Sequence, residues 1–403
     1  MQRGSFQWMK SLNKSIILNE IRKNGPISRA QLAKDIKLTP PTVGSIVKEL
    51  IEQGIVKESE QGTSQGGRKP TMLVINNEEF YIIGIDAGPS DLEFILSDLA
   101  GNIVTHVITE IELGITKEKF LSDLKQGITE ILNKHSTIEE KIIGIGVAMH
   151  GVVDVDTGTS LFAPILNLRD IPIKEELEKE FNFTIKVEND ARSLALAELW
   201  FGLDSDVSSM IAVNIGRGIG AGIIINGKLY RGENNIAGEI GHMTIDINGE
   251  KCQCGNNGCL QTVASGPAII DKVKSELAKG TESMIGSLID SDFPLSGELV
   301  HRAALQGDEL AIKVLHDTGR FLGVGLTNLI HVFNPSKIII GGGVSKAGNF
   351  ILDPLKQTIA VSALTSETKG TVVVESKLGE HATAKGAVAL LLVELFDVSN
   401  EEI

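Results

Sequence analysis

Residues 81–98 read YIIGIDAGPSDLEFILSD. Two apolar runs, each as long as a buried strand, flank a short turn, so the stretch predicts a β-hairpin in the core of a sheet. The turn opens on Asp86-Ala87-Gly88, the carboxylate and glycine with which an ATP-splitting enzyme would hold magnesium and phosphate. Its tip is Pro89-Ser90-Asp91, with one glycine and no nearby Lys or Arg. The turn is either a working phosphate loop or a hairpin that keeps only the shape of one.

The same pattern recurs. SSMIAVNIGRGIGAGIIINGKLYRG, residues 208–232, repeats strand, glycine turn, strand and hairpin. After the first copy, NIVTHVITEI (102–111) predicts a third strand, TKEKFLSDLKQGITEILNKH (116–135) an amphipathic helix and KIIGIGVAMHG (141–151) a buried strand. A third glycine element, KIIIGGGVSKAG (337–348), follows the helix pattern TGRFLGVGLTNLIHVFN (318–334), and its glycines would let backbone approach a ligand closely. Two such units predict an α/β body of two similar lobes facing across a cleft.

A chain of 403 residues is too long for one core and predicts two or three domains. With 42% hydrophobic and 22% charged residues, its composition is that of a water-soluble globular protein. No apolar run approaches the roughly 18 residues that cross a bilayer. The N-terminus MQRGSFQWMK is followed by no apolar signal segment, so a cytoplasmic location without membrane attachment is expected. The net charge of −14 is uneven. Residues 1–75 hold 12 Lys and Arg against 6 Asp and Glu, whereas the remainder holds 26 against 46. An acidic body repels polyanions and a basic head approaches them, so the head is the candidate nucleic-acid contact.

In the head, Ile16, Ile17, Leu18 and Ile21 predict one face of a helix that Asn24-Gly25-Pro26 ends. Ser28 is a natural cap for a short helix containing Ala30, Leu32, Ala33 and Ile36. Thr39 caps another, with Pro40 at its first position, where a missing N–H costs nothing. Val43, Ile46, Val47 and Leu50 form the inner stripe of that helix and leave Pro41, Thr42, Ser45 and Lys48 for DNA. This is a helix-turn-helix pattern. IVKESEQ and TSQGGRKPTMLVIN then predict two strands and a wing. Arg68 and Lys69 at its tip suit an A·T-rich minor groove. The competing reading is a three-helix packing module whose charges are only solvated.

All three cysteines lie in GEIGHMTIDINGEKCQCGNNGCLQT, residues 238–262. His242 is followed after nine residues by Cys252, then one to Cys254, then four to Cys259. One imidazole and three thiolates make a tetrahedral set for Zn²⁺, and four protein ligands leave no open position, so the role is structural. Buried apolar cysteines are the alternative, but Lys251, Gln253, Asn256 and Asn257 make this a polar loop. Glu239 precedes His242 by three residues; in a helical turn both point into one site, where the imidazole's second nitrogen can donate to a hydroxyl. In IKVENDARSLALAELWFG, Asn189 and Asp190 stand between a strand and a helix, where they cap that helix or bind a ligand.

On these motifs the chain resembles the ROK family of repressors, open reading frames and kinases. The likeness covers residues 80–390, and the spacing from His242 to Cys259 equals that family's zinc pattern. It implies a two-lobed, actin-like, sugar kinase/ribonuclease H-like domain behind the winged helix-turn-helix. The expected divisions are 1–78 for the head, 79–200 for one lobe, completed by a C-terminal helix at 383–403, and 201–382 for the other. That second lobe is expected to carry the zinc loop and a dimerisation surface. The resemblance also implies that Asn189, Asp190, Glu239 and His242 hold a sugar, with Gly151 at its edge. Members with such a head are sugar-responsive regulators, and this head with TSQGGRKP is most similar to xylose repressors.

The chain departs from that pattern in places. ROK kinases carry Asp-x-Gly-Gly-Thr in the first loop and Gly-Thr-Gly in the second. Here the loops read Asp86-Ala87-Gly88-Pro89-Ser90 and Gly216-Arg217-Gly218. Proline removes an N–H donor and arginine displaces a hydroxyl, both where phosphoryl transfer is positioned, so kinase activity is expected to be lost. Arg217 keeps a phosphorylated ligand open. The glycines themselves are expected to persist because the tight hairpins need them. Gln261 stands where many members have Glu, and Ala163-Pro164-Ile165-Leu166 where they read Pro-Asn-Leu, changes that favour a pentose or a less hydroxylated sugar. The expected protein is a homodimeric or homotetrameric repressor, released from operator DNA by a small sugar. The alternative is an ATP-dependent sugar kinase with an appended DNA-binding head.

Overall fold

The computed structural model of the chain describes residues 6–61, 70–112, 114–202, 207–289 and 294–396. The chain divides into two compact units, Met1–Glu188 with Ala384–Ile403, and Asn189–Thr383.

The first unit begins with α1 (Phe6–Asn24), β1 (Ile27–Ser28), α2 (Arg29–Asp35), α3 (Pro40–Glu52), β2 (Val56–Gln61) and β3 (Thr71–Ile75). The strands pair antiparallel in the order β1-β3-β2. The expected caps form: Ser28 Oγ accepts from the Gln31 N–H and Thr39 Oγ1 from the Thr42 N–H. Ile17, Leu18 and Ile21 of α1, Leu32 and Ala33 of α2, and Val43, Ile46, Val47 and Leu50 of α3 are all buried. One expectation fails. Ile16 is exposed, because it lies roughly 150° round the helix from the centre of the Ile17–Leu18–Ile21 stripe. The two-residue strand β1, too short for any periodicity, ties α2 to the wing.

Next come β4 (Tyr81–Ala87), β5 (Asp91–Asp98), β6 (Ile103–Glu110), α4 (Lys117–Lys134) and β7 (Ile142–Met149). A small antiparallel sheet of β8 (Val152–Asp154), β9 (Thr159–Ala163) and β10 (Leu168–Ile171) precedes α5 (Ile173–Glu178) and β11 (Thr184–Asn189). The main sheet runs β11-β7-β4-β5-β6, with β4 antiparallel to β5 and parallel to β7. On one face α4 buries Phe120, Leu124 and Ile128 in one cluster with Phe94 and Val147. On the other, the C-terminal helix Ala382–Phe396 lies against Gly84 and Gly146. A Cβ at Gly146 would stand 1.9 Å from the Ala387 carbonyl oxygen, and one at Gly84 2.4 Å from that of Ala384. Strand glycines, ordinarily a cost, here admit a helix backbone. The same helix ends at the head: Ser15 Oγ and Asn19 Nδ2 of α1 both donate to the Phe396 carbonyl.

The second unit holds α6 (Asp190–Phe201), β12 (Ser209–Ile215), β13 (Ile219–Ile225), β14 (Lys228–Tyr230), α7 (Gln261–Ala264) and α8 (Gly266–Ala278). It continues with α9 (Met284–Ile289), α10 (Gly297–Leu305), α11 (Glu309–Phe333), β15 (Lys337–Gly341), α12 (Asn349–Ser362), α13 (Ser366–Lys369) and β16 (Val372–Glu375); the C-terminal helix is α14. Its sheet order, β14-β13-β12-β15-β16, repeats that of the first sheet strand for strand. Helices α8, α10, α11 and α12 share a core with Ile211, Val213, Ile338 and Ile340 on one face. On the other, Leu194 and Ala195 of α6 pack with Ala212 and Ile224. Among the described residues no helix is long and apolar enough to cross a membrane.

Candidate metal centre and ligand site

The ligand atoms of His242, Cys252, Cys254 and Cys259 all lie within 4.8 Å of one another. A zinc tetrahedron with Zn–S near 2.3 Å and Zn–N near 2.05 Å has edges of about 3.8 Å between sulfurs and about 3.6 Å from sulfur to nitrogen. The observed Cys254 Sγ–Cys259 Sγ distance is 3.7 Å and the Cys252 Sγ–His242 Nδ1 distance 3.6 Å. The donor set therefore fits. Short loop bonds build it: the Cys252 N–H donates to the Asn256 carbonyl, and Gly258 bonds back to Glu250. Burial pushes the Cys259 thiol up to about 12, the adjoining thiols adding to the rise, whereas a backbone N–H at Asn256 holds Cys254 low. A bound cation deprotonates the thiols that coordinate it.

His242 faces the sulfurs through Nδ1, which leaves Nε2 as the nitrogen for another partner. The helical turn expected from Glu239 to His242 forms as one 3₁₀ turn over Ile240–His242, with Glu239 at its head. Burial pushes the Glu239 carboxyl above the usual carboxylate range; the Asp190 charge adds to the rise and Arg192 opposes it. Asp190, the first residue of α6, has its carboxylate held by two amides, from Asn189 Nδ2 at 2.9 Å and Asn214 Nδ2 at 3.2 Å. Asn189 also caps the helix through Oδ1, so capping and site-building are done by one side chain.

Two members of this site escaped the sequence reading. Arg192 is 2% exposed, and its Nη1 donates to the carbonyls of Asn235 at 2.7 Å and Ala237 at 3.4 Å, fastening the segment that leads into Glu239. Asn214 closes β12 onto Asp190. Both were legible as polar residues set in largely apolar runs, ARSLALAELW and SMIAVNI. The third glycine element proves to serve Asn214. Gly342 has φ +84°, and a Cβ there would stand 2.4 Å from Asn214 Oδ1, so its close approach is to this side chain.

Gly151 belongs to the first unit, where it has φ +88° and a Cβ would meet the Phe162 carbonyl at 2.2 Å. Beside it His150 is buried, with Nδ1 3.1 Å from the Ala87 carbonyl, a long-range partner that scattered histidines did not suggest. In the head, Pro41, Ser45 and Lys48 of α3 are exposed and Thr42 is half-buried, its hydroxyl 2.8 Å from that of Thr39. Arg68 and Lys69 lie outside the described residues.

Residues 82–394 match the model of the ROK family, and residues 13–57 that of a winged helix-turn-helix DNA-binding domain. The chain belongs to the ROK family. It is 33% identical over 392 residues to the xylose repressor of Caldicellulosiruptor bescii, covering 97% of this chain and 98% of that protein. It is 35% identical over 390 residues to the DNA-binding transcriptional dual regulator NagC of Escherichia coli, covering 97% and 94%. The crystal structure of a ROK family transcriptional regulator, a homologue of the E. coli Mlc protein, superposes with a TM-score of 0.86 at 32% identity, covering 97% and 98%.

In this ROK domain both glycine turns are closed on themselves. The Gly88 N–H donates to the Asp91 carbonyl at 3.0 Å, with Pro89 and Ser90 between them. At the second turn Gly216 donates to Gly218 at 2.9 Å, its carbonyl accepts from Gly266 at the start of α8, and Arg217 is exposed. The expectation that the hairpins need these glycines has support only at Gly88, where a Cβ would stand 3.2 Å from the Asp91 carbonyl oxygen. None of Gly88, Gly216 and Gly218 has positive φ, and a Cβ at Gly216 would meet nothing within 4 Å. Ile165 is 40% exposed. Gln261, expected to bear on ligand choice, donates through Nε2 to Cys252 Sγ at 3.4 Å.

Proposed function

We propose that the protein is a cytoplasmic DNA-binding transcriptional repressor that a small sugar, xylose first among the candidates, releases from its operator. Asn189, Asp190, Glu239 and His242 bind the sugar. A structural Zn²⁺ on His242, Cys252, Cys254 and Cys259 sets the wall from which the imidazole donates. Pro41, Thr42, Ser45 and Lys48 of α3, with Arg68 and Lys69 of the wing, contact DNA. Residues 1–78 form the reading head, 79–200 with 383–403 one lobe, and 201–382 the other, which also carries the self-association surface.

The observation that carries this reading is the coexistence in one chain of a capped α3 with exposed Ser45 and Lys48 and an amide-held carboxylate site beside the four-ligand cluster. The Asp190 carboxylate, held by the two amides of Asn189 and Asn214, is oriented to accept sugar hydroxyls. At the first turn Pro89 has no N–H and the Gly88 N–H is already engaged; the second bears Arg217. Phosphoryl transfer depends on such positions, so the domain is read as a sensor without kinase activity. Helix-turn-helix readers bind two half-sites about one helical turn apart, so the active species is at least a homodimer. The contact of Ser15 and Asn19 with the end of α14 offers a route by which movement of the first sheet reaches α1. Moving such an equilibrium from 1:99 to 99:1 takes a differential affinity of roughly 10⁴-fold, and partial induction far less.

The retained Asp190 favours a second reading, an ATP-dependent sugar kinase with an appended head. Incubating the purified protein with xylose, glucose, fructose and N-acetylglucosamine in turn, with MgATP, separates the two. Sugar binding by calorimetry without ADP formation is expected. Sustained sugar-dependent ADP release would establish the kinase.

A further inference from the structure

We infer that Gln261 is a positioning residue of the zinc centre, an outer-sphere N–H donor to the Cys252 thiolate, and not a contact of the sugar. This rests on the zinc reading above. Gln261 opens α7 two residues after Cys259, so the last ligand and this amide are fixed by the same short segment. Its Nε2 stands 3.4 Å from Cys252 Sγ, which is buried. The amide oxygen lies on the other side, 3.0 Å from where a Cβ would be on Gly241 and 3.6 Å from one on Gly218, so the glycine at 241 leaves the room that the amide fills. Nitrogen faces sulfur and oxygen faces glycine.

The chemistry gives this orientation a purpose. Three thiolates and an imidazole on Zn²⁺ carry a net charge of −1, and a donor N–H on one sulfur stabilises that charge without displacing a ligand. An ionised carboxylate of the same length at position 261 has no N–H to offer the sulfur. Glutamine supplies a donor of the required reach, and its departure from the acidic residue expected at this position becomes intelligible as service to the metal. Through Gly218 the same side chain lies next to the second glycine turn.

The test uses the full-length zinc-loaded protein and the variants Gln261→Glu and Gln261→Met, the second being close in shape but without a donor. Zinc affinity is read by competition with a chromophoric chelator, and the Cys–metal bond by the thiolate-to-Co²⁺ charge-transfer band of the cobalt-substituted protein. Both variants are expected to hold zinc roughly 10–100-fold more weakly, the range for loss of an outer-sphere partner. The charge-transfer band is expected to move to lower energy, and sugar affinity at saturating zinc to stay within about twofold for Gln261→Met. A merely structural glutamine would leave the band in place. Unchanged zinc affinity and band, with weakened sugar binding, would return Gln261 to the sugar site. If Gln261→Glu does not fold, Gln261→Met alone decides. A parent protein that binds no stoichiometric zinc overturns the zinc reading itself and this inference with it.

Discussion

Replacing Asp190 by Asn tests the sugar site at its centre. The carboxylate receives amide hydrogens from Asn189 and Asn214 and shares its surroundings with Glu239. A hydrogen bond from a ligand hydroxyl to a charged acceptor is worth about 1.5–3 kcal/mol, and its neutral counterpart about half as much. Asparagine also brings an NH₂ group toward two amide donors, so one donor loses its partner. Loss of about 0.8–1.5 kcal/mol per sugar hydroxyl bond follows, which is roughly 4–13-fold in sugar affinity. Asp190 opens a helix of the second unit, whereas the reading helix α3 belongs to the first, so operator affinity without sugar should stay within about twofold. Calorimetry with the inducing sugar and fluorescence anisotropy with operator DNA measure the two quantities separately. Undiminished sugar affinity, or operator affinity that falls in parallel, would refute the assignment.

Three further outcomes follow from particular contacts. Gly146→Ala sets a methyl against the Ala387 carbonyl, a backbone atom that cannot rotate aside, and should cost about 2–3 kcal/mol by urea denaturation as α14 is lifted from the sheet. Lys48→Ala removes an exposed cation whose pairing with Glu52 at 3.7 Å is too solvated to matter; thermal stability should hold while operator affinity falls and its salt dependence loses about one counterion. Burial raises the Glu198 carboxyl pKa, against a hydrogen bond from Ser376 and the charge of Lys337. Its neutral form thus stabilises the fold fully below the ordinary carboxylate range, and that contribution is lost as pH rises through the raised native value. Glu198→Gln should therefore melt higher than the parent at pH 7.5 and show no advantage near pH 3.5.

What the sequence made legible follows from the range of each interaction. Caps act over three residues, so Ser28 and Thr39 announced their helices, and ligand spacing announced the cluster from His242 to Cys259. Strand and turn patterns are local too, and both copies of the hairpin unit were readable. Contacts between distant segments were not. Nothing in the strand of Gly146 says that Ala387 must approach it, and nothing near His150 points to Ala87. Ile16 misled because three neighbouring apolar residues fill a stripe that a fourth cannot enter. Gln261 was read by its position when its partner, Cys252, lay across a loop. Arg192 went unnoticed although a buried guanidinium in an apolar helix is costly without partners, which makes it a signal worth following.

The central claim is that a sugar held at Asp190 and Glu239 governs how the head sits on DNA. It is tested most directly by anisotropy of labelled operator DNA bound to the zinc-loaded protein, titrated with xylose, glucose, fructose and N-acetylglucosamine and their phosphates in the absence of nucleotide. At least one sugar should weaken operator binding tenfold or more, and Asp190→Asn should shift that response to higher sugar concentration. Operator affinity indifferent to every sugar, or a response identical in the variant, would contradict it.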